Sequence, residues 1–154
     1  MVVIGVTAAL VLPSIGAGRE QREVRRTVRA FVSAVRLSSS RAIGGRRPIE
    51  LRIWPDEGRF EVERPDGPAG DAGLTHGAEA ARNSDGVDLP EFAEFETVRG
   101  GRVGDEDEII YDFFPTGGSS GGRISLEFRT RGGTQKYSFV INPLLSSVSI
   151  ENES

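Results

Sequence analysis

Cysteine is absent from this chain of 154 residues, and histidine and tryptophan occur once each. The first absence excludes a disulfide framework, thiolate metal sites and a cysteine nucleophile. His76 stands in Leu74-Thr75-His76-Gly77 with no Ser or Cys motif of the nucleophile-elbow type beside it, so it reads as a solvated loop residue. No catalytic residue, metal ligand, cofactor or small-molecule substrate is expected. A full membrane span is lacking too. The opening apolar run, even stretched to Ile15, is shorter than the roughly 20 residues a spanning helix needs.

What is there begins with that run. Val2, Val3, Ile4, Val6, Ala8, Ala9, Leu10, Val11 and Leu12 lead without a charge into Pro13. The segment 1–18 reads as a membrane-proximal helix continuing into a soluble one. Gly16-Ala17-Gly18 offers the small residues of a secretory cleavage site, but no Lys or Arg precedes the apolar core as a signal peptide requires. An anchor that is retained is therefore expected. Pro13 is expected to kink the helix where it leaves the membrane.

The formal net charge of −4 conceals an asymmetry: residues 1–52 hold ten Arg against three Glu, while the remainder holds nine basic residues against twenty acids. Most of the basic half reads as one helix over residues 19–43. Val24, Val28, Phe31, Val32, Val35 and Ala42 fall on one stripe at helical spacing, with Arg22, Arg25, Arg26, Arg29 and Arg36 on the other positions. Gly44-Gly45 is expected to stop it. The arginines suit a solvated face, nucleic acid, acidic lipid or the acidic face of a neighbouring subunit.

Beyond the helix the period changes to two. Residues 48–151 are expected to carry the strands, opening with a hairpin of Ile49, Leu51 and Ile53 against residues 59–63 across the Pro55-Asp56-Glu57-Gly58 turn. Residues 65–86, rich in Gly, Ala, Pro and Asp, read as a mobile surface insertion. Residues 87–98 fit either a short helix or irregular edge structure. Four strand segments, at 108–114, 122–129, 134–141 and 147–151, then read as a meander. The expected fold is α+β: a long N-terminal helix packed on an antiparallel β-sheet or sandwich, its stripe covering one sheet face.

Two motifs invite chemical readings. Gly117-Gly118-Ser119-Ser120-Gly121-Gly122 is rich enough in glycine to cradle an anion, yet it lacks the P-loop lysine and leads into a strand, so a tight turn is expected. Asp105-Glu106-Asp107-Glu108 lacks the spaced ligands of a calcium loop and reads as a solvated charge run. Trp54, at the end of the first strand, suits packing better than a stacking platform.

Residues 3–13, Val-Ile-Gly-Val-Thr-Ala-Ala-Leu-Val-Leu-Pro, resemble the second half of the N-terminal helix of type IV pilins and type II secretion pseudopilins. That family has a basic leader, a Gly-Phe type cleavage site and an early Glu. Here the first acid is Glu20, so the resemblance implies that the given sequence starts inside the family's helix. The segment from Ile110 to Leu126, with Pro115, Gly117, Gly118, Gly121 and Gly122, is similar to the C-terminal signature of the GspH/FimT group. Asn142-Pro143-Leu144 before Val148-Ser149-Ile150 matches its closing hairpin, with Leu145-Ser146 where the group more often has Gly.

The resemblance covers residues 1–54 and 108–151 and leaves the acidic middle unmatched. It implies a minor pseudopilin of the H type, in the bacterial inner membrane with its C-terminal domain in the periplasm, at or near the tip of the type II secretion pseudopilus. Its implied partners are other major and minor pseudopilins, inner-membrane components of the secretion system, and the membrane itself; nucleic acid is not expected. Residues 2–4, 6 and 8–13 would then pack in the membrane and the filament core. The alternatives are a FimT-like minor pilin serving pilus assembly or DNA uptake, and a secreted ligand-binding or hydrolytic β-domain.

Overall fold

The computed structural model describes residues 14–63 and 86–153. The apolar segment Val2 to Pro13, His76 and nearly all of the expected 65–86 insertion lie outside the described residues, as does the expected kink at Pro13. Helix α1 runs Ser14–Gly45, longer at both ends than the expected 19–43, because the backbone ladder carries on where the apolar stripe has stopped marking it.

The end of α1 corrects the sequence reading. Arg46 N–H donates to Ile43 O and Arg47 N–H to Ala42 O, the paired bonds of a Schellman cap. The left-handed residue of that cap is Arg46, at φ 52°, while Gly44 and Gly45 lie inside the last turn. A non-glycine residue there is strained, so Arg46→Gly is expected to raise stability by about 0.5–1 kcal/mol, the left-handed penalty less glycine's extra chain entropy. A lower urea midpoint for the variant would contradict the cap assignment.

Strands β1 Ile49–Trp54 and β2 Arg59–Val62 form the expected hairpin, Leu51 facing Val62 and Ile53 facing Phe60. Around it, β3 Val87–Asp88, β5 Arg102–Val103 and β6 Ile109–Phe113 complete an antiparallel sheet in the order β3-β2-β1-β6-β5. The second antiparallel sheet has the order β4-β7-β8-β9, built from β4 Ala93–Gly100, β7 Gly122–Thr130, β8 Gly133–Ile141 and β9 Val148–Glu153. Of the two readings of 87–98, the edge one holds: β3 and β4 are edge strands of their sheets, and β4, which pairs with β7, has a bulge between Phe95 and Thr97 that breaks its alternation. One expectation fails here. Only β7, β8 and β9 form a meander; β6 pairs with β1 in the other sheet because the glycine turn redirects the chain between the layers.

The helix stripe covers both sheets rather than one. Phe31, fully buried, meets Phe60 of the first sheet edge-on at 5.2 Å between ring centres and Phe139 of the second at 4.7 Å. Val24 and Val35 are fully buried, while Val28 and Val32 flank the core half-buried. Thr27, Ala34, Ser38 and Ala42 complete the buried face, and Ser38 stays satisfied by donating to Ala34 O at 2.9 Å. Ile49, Leu51 and Ile53 face this stripe from one side, Ile124, Leu126 and Phe128 from the other.

Candidate functional site

Because α1 gives one face to the core, its opposite face is fixed as well. Arg22, Arg25, Arg26, Arg29 and Arg36 are all exposed on it, and none forms an ion pair among the described residues. The cations of the sheets behave differently. Arg52 and Arg102 both hold Glu50, Arg102 also holds Asp112, and Arg129 and Lys136 share Glu127. At its C-terminal end the helix borders an open groove of about 500 Å³ lined by Arg36, Ser39, Ser40, Ile43, Gly44 and Ser146. No carboxylate or imidazole enters that lining, so it brings no acid–base pair together.

The glycine turn is architecture. Gly117 N–H donates to Phe114 O, Ser119 N–H to Pro143 O, Ser120 N–H to Asp112 O and Gly121 N–H to the Ser119 hydroxyl. With these donors committed to protein acceptors, the turn has no nest left for phosphate. It is clamped instead to the β8–β9 turn: Ser119 Oγ donates to Asn142 O at 3.2 Å and Ser146 Oγ to Gly117 O at 2.9 Å. Pro115 and Gly118 lie within the same turn, half-buried, and Gly118 O accepts from Phe114 N–H.

At its far end the turn reaches a place where the two sheets touch. Gly122 faces Gly100 in the β4–β7 register, and the Tyr111 hydroxyl of the first sheet donates to Arg99 O of the second at 2.9 Å. Burial pushes the Tyr111 phenol well above its usual range, so it stays a neutral donor. Arg46 and Tyr111 were not singled out from sequence. The two Gly-Gly pairs, 100–101 and 121–122, are the signal from which the close approach could have been read.

The remaining chemical candidates resolve into structure. Trp54 is buried and roofed by the Arg59 guanidinium at 4.2 Å from its ring centre, which leaves no open stacking platform. Asp105, Glu106 and Asp107 are exposed, whereas Glu108 turns inward and its carboxylate accepts from Glu106 N–H at 2.8 Å. Among the described residues, no group of three or more His, Cys, Asp or Glu is placed to hold a metal ion, and no helix is long and apolar enough to cross a membrane.

Acid should test this network. Backbone N–H groups, its own and that of Glu106, hold Glu108 below the usual carboxylate range, with help from Arg52 and Arg102; Arg129 and Lys136 do the same for Glu127. A carboxylate whose folded pKa is depressed contributes stability that is fully present above its unfolded value, about 4.3, and lost as pH falls through the folded value. The urea midpoint should therefore hold from about pH 7 to 5 and fall below about pH 4, less steeply in Glu108→Gln. A midpoint indifferent to acid would contradict the assignment.

One long N-terminal helix laid by its apolar stripe over two antiparallel sheets, with a glycine turn tying the sheets together, defines a pilin-like α+β fold of the pseudopilin kind. The chain is similar in structure to the minor pseudopilin EpsH from the type 2 secretion system of Vibrio cholerae, with a TM-score of 0.57 and 11% sequence identity over 86% of this chain and 97% of that one. At that identity the likeness establishes the fold. No protein-family model and no curated protein sequence matches the chain.

Proposed function

We propose that this chain is a minor pseudopilin of the type II protein secretion system, of the H type, acting at or near the tip of the periplasmic pseudopilus. The role is mechanical. Residues 1–18 hold the subunit in the bacterial inner membrane and then pack into the filament core, while the two-sheet domain faces the periplasm. Its partners are other major and minor pseudopilins and the inner-membrane components that assemble them, and no cofactor or reaction is involved. The observation that carries this reading is the likeness to EpsH along nearly the whole of that chain. The apolar run that enters α1 through Pro13 supports it.

Deleting the gene in the source bacterium should leave secreted proteins stranded in the periplasm without loss of type IV pili, and cross-linking should recover other pseudopilins. Normal secretion with impaired DNA uptake would overturn the proposal in favour of a FimT-like pilin. So would tight binding of duplex DNA at about 150 mM salt that weakens steeply as salt rises.

A further inference from the structure

We propose that the open edge of β9 takes an extended segment of another protein as an added strand of the second sheet, its inward side chains aliphatic with a carboxylate opposite Arg36. Occupation of this edge needs no filament and is independent of the secretion role.

The fold blunts its other sheet edges and leaves this one open. β3 and β5, the edges of the first sheet, are two residues long, and β4 carries a bulge between Phe95 and Thr97. β9 has neither feature. It pairs with β8 without interruption from Val148 to Glu153, and among the described residues no strand lies beyond it. Asn142 N–H donates to Ser147 O, which makes that pair a hydrogen-bonded one and sets the parity of the ladder. Ser149 and Glu151 therefore direct their backbone groups to β8, while Val148, Ile150 and Asn152 turn theirs to the free edge.

The edge borders a groove. Ile150 is the register partner of Phe139, so its side chain lies on the face that meets α1 through Phe31. It is nevertheless 46% exposed, since no further strand covers it. α1 packs against β9, and the open groove lies where β9 begins, bringing Arg36, Ser39, Ser40 and Ile43 of the helix beside Ser146. Just before Ser146, Leu144 and Leu145 are 81% and 72% exposed in a turn whose N–H groups donate to Asn142 Oδ1. A strand laid along β9 satisfies the outward N–H and C=O groups, covers Ile150 with alternate side chains and carries one of them to Arg36, in a groove whose lining holds no carboxylate.

Other occupants fit less well. A lipid surface offers no partner to a row of backbone N–H and C=O groups. A second copy of β9 is unsuited too, because Val148–Glu153 contains no cation and its Glu151 shares the outer face with Ser149, away from Arg36. Two such edges would set like charges against each other.

A fluorescein-labelled peptide of alternating Val and Thr, with Asp in place of its central Val, tests this by anisotropy against the full chain in a mild detergent. Binding should saturate. Lys in place of that Asp should weaken it about tenfold, and N-methylation of the peptide's edge-facing amides should abolish it while leaving every side chain in place. Ile150→Pro removes an outward N–H without touching the β8 ladder and should lower affinity at least about tenfold, whereas Ile150→Val should stay within about twofold. The peptide variants keep the test decisive if Ile150→Pro does not fold. On binding, amide exchange should slow at Ile150 and Asn152 and stay unchanged at Ser149 and Glu151, which are already bonded to β8. Absence of saturable binding, equal binding of the N-methylated peptide, or protection confined to α1 would overturn the proposal. So would sedimentation showing a peptide-free dimer that Ile150→Pro returns to monomer, which would make the occupant a second copy.

Discussion

Replacing Phe31 with Ala should remove about 3–5 kcal/mol of stability, the range for deleting a fully buried aromatic side chain. The upper part of that range is expected because of what Phe31 touches. Its ring is fully buried, in contact with Phe60 of one sheet and Phe139 of the other, so truncation opens a cavity where three layers meet. Neither sheet can collapse into that space without leaving the helix. Phe31→Leu should recover part of the loss by refilling volume. Arg29→Ala, two residues away on the exposed face, should change stability by no more than about 0.5 kcal/mol. Urea melts giving equal losses for Phe31→Ala and Arg29→Ala would mean that the helix does not lie on the sheets as described.

The helix was legible because its signal is redundant: an apolar stripe at 3.6 spacing, with arginines filling the opposite face, admits one orientation. The Ile49–Val62 hairpin was legible for a similar reason, since strict alternation and a Pro-Asp-Glu-Gly turn agree. What the sequence concealed was long-range partnership. Nothing local in Ile110-Tyr111-Asp112-Phe113 says that β6 pairs with β1 some sixty residues earlier and not with β7 just after it. The helix end at Arg46 was misread because glycine is the usual left-handed residue, whereas here a long side chain takes that position. The β4 bulge hid a strand by shifting its alternation within eight residues.

The candidate interaction face was half-legible. Its arginines are plain in the sequence, but charge alone does not say which of them the fold leaves without partners. Arg52, Arg102 and Arg129 are no different from Arg25 or Arg29 as letters; sheet pairing places the first three beside carboxylates, and helix geometry turns the others outward. The exposure of Leu144 and Leu145 was concealed likewise, since two leucines in a chain more often signal core. Only the Asn142 turn, by fixing both N–H groups, keeps them on the surface.

Gly122→Ala should be as damaging as many core truncations, about 3–5 kcal/mol, although it adds a single methyl group. Two independent penalties combine there. The residue has φ 154°, a conformation side-chain-bearing residues rarely adopt, and a Cβ would lie 2.6 Å from Tyr111 Cε1 while also striking Arg99 O. The obstructing atoms are a fully buried ring and a strand backbone, neither of which is a flexible end that can swing away. Relief requires the two sheets to part, with loss of the Tyr111 bond to Arg99 O. Gly117→Ala is the matching control: its φ of 89° carries backbone strain, but its Cβ would meet only Ile43 Cδ1, at 4.0 Å. It should therefore lose only about 1–2 kcal/mol, the strain alone. The difference between the two variants isolates the close approach of the sheets, and equal urea midpoints for both would show that Gly122 is needed for its backbone angle and not for the contact.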